Sequence, residues 1–168
     1  MGRQHVDSKT RVREAQRVII DHLAQCEAAI AKLYATYGRM LPEMGEVWQT
    51  LSAEEDDHAR LLKSMHTQLD NGNVFYNLGR FDKQATDALI AKVNAEIAAV
   101  RTHPVSALKA ITVALSIETS ILDAHFYEIV TSDAPEFTVI ADHLSKATKR
   151  HIELVREQMM KHQPKQTD

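Results

Sequence analysis

Apolar residues recur at three-and-four spacing along nearly all of the 168 residues, and this periodicity, which only packed helices can bury, constrains the fold more than any motif. In the first stretch, Val12 to Leu41, the residues Ile19, Ile20, Leu23, Ile30, Leu33 and Tyr34 share one face, and Gly38 and Pro42 end it. A second stripe runs Met44, Val47, Trp48, Leu51, His58, Leu61, Leu62, Met65, Leu69 and stops at Asp70-Asn71-Gly72-Asn73. Asp82 is placed to cap a third helix through Leu89, Val93, Ile97 and Val100, which must end before His103-Pro104. Pro104 suits the first turn of a fourth helix, carrying Leu108, Ile111, Leu115, Ile121, Leu122 and Ile129. Pro135 opens a fifth, with Phe137, Ile140, Leu144, Leu154, Val155 and Met159. No stretch reads as a strand.

Short links join the first helix to the second and the fourth to the fifth, so each pair is expected to form an antiparallel hairpin. A helix of about 19 residues spans roughly 28 Å, so the segment from Asp82 to Val100 can return the chain along the bundle. The expected architecture is all-α: a four-helix bundle of two antiparallel hairpins with a long crossover containing an extra helix. A single domain over 11–161 is expected, with polar tails at 1–10 and 162–168.

Composition narrows the function classes. Twenty Lys+Arg against 23 Asp+Glu leave no basic footprint for nucleic acid or an anionic membrane. No apolar run reaches the roughly 18 residues of a membrane span, and Met1-Gly2-Arg3-Gln4-His5 lacks the apolar core of a signal peptide. The one cysteine, Cys26, excludes an internal disulfide and every cysteine-only metal module, and a reducing, cytoplasmic setting is expected. Neither a nucleophilic triad, a phosphate-cradling glycine loop nor a dinucleotide fingerprint is present.

The two hairpins resemble each other. Leu51-Ser52 through His58 lies over Leu144-Ser145 through His151, and the upstream helices then align Glu27 with Glu118, at 31 and 33 residues before the respective histidines. Glu27 falls inside the stripe of Ile20, Leu23 and Ile30, and Glu118 inside that of Ile111, Leu115 and Leu122. Glu55 is four residues after Leu51 and three before His58, so both point where Leu51 and Leu62 point. His151 continues the apolar series of the last helix. Four helices thus direct ionisable groups into one core.

An isolated buried carboxylate costs several kcal/mol or takes up a proton, so such positions need opposite charge nearby. Lysine and arginine are absent from these stripes, and a bound cation would supply it. Glutamate oxygens with imidazole nitrogens one turn away suit iron, manganese or zinc. A hydrogen-bonded polar layer that fixes the register of the helices is the alternative.

The segments Glu27-Ala28-Ala29-Ile30-Ala31-Lys32-Leu33-Tyr34, Glu55-Asp56-Asp57-His58 and Ala114-Leu115-Ser116-Ile117-Glu118, with His151, resemble the ferritin-like superfamily and within it the rubrerythrin-type di-iron bundle. The likeness runs from about Val12 to Met160. It implies metal ligation by Glu27, Glu55, His58, Glu118 and His151, two iron ions, and oxidoreductase or ferroxidase-like activity toward peroxide or dioxygen. A full rubrerythrin also carries a cysteine-ligated electron-transfer domain, which one cysteine cannot build, so turnover would need an external electron donor. The histidine-rich spacings of a haemerythrin-like oxygen carrier are not found.

Two departures stand out. The second Glu-x-x-His should begin at residue 148, where the chain has Thr148, so one of six expected ligands is missing and three glutamates bring -3 in place of -4. The second ion should then bind more weakly, with solvent held by the Thr148 hydroxyl or Glu54 filling the gap, or the site holds one ion or none. A non-catalytic metal-binding or degenerate bundle with a storing, sensing or partner-binding role is the alternative function. The second departure is His125, seven residues after Glu118 where the family tends to an aromatic, read as a satisfied core histidine or a proton relay. The first helix keeps Tyr34 at the equivalent place, a candidate to support the ligands alongside Thr148. His22, His66, His103 and His143 fall off the shared layer, and Cys26 points about 100° away from Glu27. Flat faces such as that of Lys83 to Val100 could pair bundles into a homodimer.

Overall fold

The computed structural model describes residues 8–74, 81–130, 132 and 134–163. Five α-helices carry the fold: α1 (Ser8–Met40), α2 (Gly45–Asp70), α3 (Lys83–Thr102), α4 (Ala107–Asp123) and α5 (Pro135–His162), with 3-10 turns at Pro42–Met44 and Glu128–Val130. Among the described residues there is no strand, and no helix is long and apolar enough to cross a membrane.

Cross-contacts give the direction of each helix. Ser52 Oγ donates to the Ala31 carbonyl at 2.9 Å, His66 meets Asp21 at 2.8 Å and Arg17 pairs with Asp70, so α2 runs antiparallel to α1. His22 meets Asp87 and Tyr37 donates to Glu96, which sets α3 parallel to α1 and makes it the crossover. Tyr34 reaches Glu118 on α4 and Glu27 meets Tyr127 beyond its end, while Glu55 and His58 on α2 meet His151 and His143 on α5, so facing helices of the two hairpins run antiparallel. The crossover buries Leu89, Val93, Ile97 and Val100.

Helix ends follow local chemistry. The Asp82 carboxylate accepts from Ala85 N at 2.9 Å, capping α3 as expected. Pro104 lies outside α4, which starts later because Ser106 supplies the cap, its hydroxyl accepting from Lys109 N. α4 stops at Asp123 instead of continuing to Ile129, and His125 takes the left-handed conformation at φ 51°. At the other hairpin a methyl group on Gly38 would stand 3.3 Å from Trp48 Cβ, so glycine permits α1 and α2 to close there. Trp48 packs against Tyr34 and Tyr37, with ring centroids 5.6 and 5.0 Å away. Ser8 to Thr10 and His162, expected in the tails, extend α1 and α5, since no proline or glycine interrupts the helices there. Gln163 caps α5, and the rest of the expected tails, 1–7 and 164–168, lies outside the described residues.

Candidate metal centre

Midway along the bundle the polar layer closes. Glu27 comes from α1, Glu55 and His58 from α2, Glu118 from α4 and His151 from α5, each between 0 and 2 % exposed. The five form two overlapping triads, Glu27 with Glu55 and His58, and Glu55 with Glu118 and His151. Within each, one possible ligand atom per residue lies within 4.8 Å of the others. Glu55 belongs to both. Its Oε2 is 2.7 Å from His58 Nδ1 and its Oε1 is 2.8 Å from His151 Nδ1. The imidazoles of His58 and His151 stack at 5.5 Å.

Several of these atoms are buried without a hydrogen-bond partner: Glu27 Oε2, Glu55 Oε1, Glu118 Oε2 and His151 Nδ1. Although Glu55 Oε1 and His151 Nδ1 approach to 2.8 Å, they are not aligned as donor and acceptor. Leaving such atoms unsatisfied in a protein interior costs about 1–3 kcal/mol each, whereas convergence of lone pairs is what a cation requires.

Two tyrosines cross the bundle to hold the outer carboxylates. Tyr34 on α1 donates to Glu118 Oε1 at 2.7 Å, and Tyr127, beyond the end of α4, donates to Glu27 Oε1 at 2.5 Å. Each carboxylate is thereby fixed through one oxygen and keeps the other. Tyr34 takes the place expected of it, but His125 does not: it is exposed and meets Glu128 at 2.9 Å. The break after Asp123 turns His125 outward and brings in Tyr127, nine residues after Glu118 in place of seven. A search at helical spacing passes over it, and the available signal was the aromatic pair Phe126-Tyr127.

Glu54 does not fill the gap left by the missing ligand. Its half-buried carboxylate sits on the far side of His151, 2.8 Å from Nε2. A carboxylate there accepts a hydrogen bond from Nε2–H, so that when His151 is neutral Nδ1 is the nitrogen with the lone pair. Thr148 is buried, and its Oγ1 donates toward the Leu144 carbonyl at 3.1 Å and lies 3.5 Å from the Tyr127 hydroxyl. Cys26 is buried and joins neither triad, and burial, reinforced by Glu27, Glu55 and Glu118, pushes its thiol far up. His22 and His66 are occupied by Asp87 and Asp21, while His103 and His143 are exposed.

Electrostatics reflect the crowding. Burial raises the Glu27 carboxyl well above its usual range, with repulsion from Glu55 adding to it. Burial also takes Glu55 from 4.5 to about 7, helped by Glu118 and opposed by His151. Desolvation lowers His58. For His151 desolvation acts downward too, but the nearby carboxylates of Glu118 and Glu55 outweigh it and raise the imidazole to about 11. The raised groups, Glu27, Glu55 and His151, favour retaining protons that a bound cation would displace.

No family model, curated protein or solved structure matches the chain.

Proposed function

We propose that the chain is a ferritin-like, rubrerythrin-type di-metal protein that acts as an oxidoreductase, of peroxidase or ferroxidase type, on peroxide or dioxygen with electrons from an external donor. The observation that carries this reading is the set of buried ligand atoms on Glu27, Glu55, Glu118 and His151 that lack a hydrogen bond, arranged in two triads that share one carboxylate. A layer serving only to fix helix register would close those atoms in hydrogen bonds.

Glu27, Glu55 and His58 would hold one ion and Glu55, Glu118 and His151 the other. Iron suits the mixed oxygen and nitrogen donors, and manganese or zinc would be accepted by the same set. A pair of bound ferrous ions would supply two electrons, one from each, for reducing peroxide or dioxygen. The chain itself binds, orients and shields: Tyr34 and Tyr127 steady the outer carboxylates, Glu54 fixes the tautomer of His151, and the apolar stripes exclude bulk water. Three carboxylates against two divalent charges leave +1, so an anion or hydroxide beside Thr148 completes the neutralisation and the second ion is held less firmly.

The test is to load the protein anaerobically with ferrous ion, mix it with hydrogen peroxide and follow ferric absorbance, with Glu55→Ala as control. Oxidation much faster than that of free ferrous ion, and absent from the control, supports the enzymatic reading. Thr148 at the sixth ligand position favours a second reading, a metal-storing or sensing bundle. Retained ferrous ion that peroxide leaves untouched would select it.

A further inference from the structure

The candidate ligands are almost fully buried, so ions must reach them along some path. His58 lines a cleft of about 420 Å³ together with Asp57, Arg60, Leu61, Ser64 and His143. This cleft lies between α2 and α5, and His143, its lining residue from α5, is exposed. The His143 ring stands edge-on to His58, at 86° and with centroids 6.2 Å apart. His58 in turn stacks on His151 at 5.5 Å. Three imidazoles therefore form a series from the surface to both triads.

We propose that this cleft is the uptake path for divalent transition-metal ions, with His143 as the first protein ligand an incoming ion meets and His58 as the second. The proposal rests on the reading of the buried layer as a di-metal centre. An aquated ion loses solvation in stages, and an exposed imidazole ahead of a buried one lets nitrogen replace water one ligand at a time. His58 uses Nδ1 toward Glu55, and among the described residues no hydrogen bond engages its Nε2. Arg60, the one lysine or arginine lining the cleft, is paired with Asp57. A second cavity, of about 330 Å³, lies against Tyr127, Ser145 and Lys149 but touches none of the five candidate ligands.

The test uses cobalt(II) alone, added to the metal-free full-length protein, with uptake followed by stopped-flow absorbance and final content by elemental analysis. Three variants are compared: His143→Ala, Ser64→Trp to fill the cleft, and Ser145→Trp to fill the cavity at Tyr127. Ser64 and His143 are exposed, so neither change disturbs the core. The expected result is unchanged final cobalt content in all three, with uptake slowed about tenfold or more by Ser64→Trp and several-fold by His143→Ala, and unaltered in Ser145→Trp. Wild-type rates in both cleft variants would overturn the proposal while leaving the di-metal reading intact, as would slowing confined to Ser145→Trp. A wild-type protein that takes up no cobalt would remove the reading beneath it as well.

Discussion

The Tyr127 hydroxyl donates to Glu27 Oε1 across the bundle, 100 residues away in the chain, and Tyr34 returns the same contact from α1 to Glu118. The two halves brace each other's outer carboxylate. Tyr127→Phe keeps the ring in the core and removes the donor, leaving both Glu27 oxygens unpartnered. Urea unfolding of the metal-free protein should show a loss of about 1–3 kcal/mol, and unchanged stability would show that the contact contributes nothing.

Thr148→Glu supplies the carboxylate that the second triad lacks. Without metal it adds a buried acid next to Tyr127, whose hydroxyl holds Glu27, and the variant should be destabilised by about 3–5 kcal/mol. With metal the fourth negative charge should tighten the weaker site by about tenfold or more, read by competition with a chelator. A variant that binds no more metal than the parent would rule out Thr148 as the cause of weak binding.

Glu54 governs His151 through its outer nitrogen. Glu54→Ala should weaken the ion held by Glu118 and His151 by about 10–100-fold, and Glu54→Gln, which still offers an acceptor, should recover part of the loss. Equal affinity in all three proteins would mean that His151 needs no orienting partner.

Stability of the metal-free protein should fall as pH rises. Glu55 keeps its proton in the folded state to about 7, whereas the unfolded chain releases it near 4.5, so its contribution is complete below 4.5 and lost as pH passes 7. His151 acts in the same direction between 6.5 and about 11. The lowered His58 opposes them, adding stability as pH rises to 6.5. The midpoint of thermal unfolding should therefore be lower at pH 8.5 than at pH 6.5 for the metal-free protein. Added manganese or zinc should remove that difference, because cations take the place of the protons. A metal-free midpoint that rises over this interval would contradict the assignment of protons to the layer.

How much of this was legible in the sequence depended on whether a helix stayed regular. Glu27, Glu55, His58, Glu118 and His151 lie within uninterrupted helices, where three-and-four spacing decides which face a side chain occupies, and all five meet in the core. Tyr127 could not be found that way, since the left-handed turn at His125 shifts everything after Asp123 out of helical register. Pro104 was a weaker start signal than Ser106 because a side-chain acceptor satisfies a free amide, while proline only avoids needing one. Glu54 was misplaced for a different reason: its neighbour Glu55 fills the inward position, and the partner that draws Glu54 toward the layer, His151, belongs to the other hairpin.

The most direct measurement is metal content per chain by elemental analysis, after anaerobic loading with ferrous ion and desalting, for the parent, Glu27→Ala and Glu55→Ala. Two ions in the parent, about one in Glu27→Ala and none retained in Glu55→Ala would follow from two triads sharing Glu55. No iron in the parent, or full content in Glu55→Ala, would contradict a di-metal centre built on that shared carboxylate.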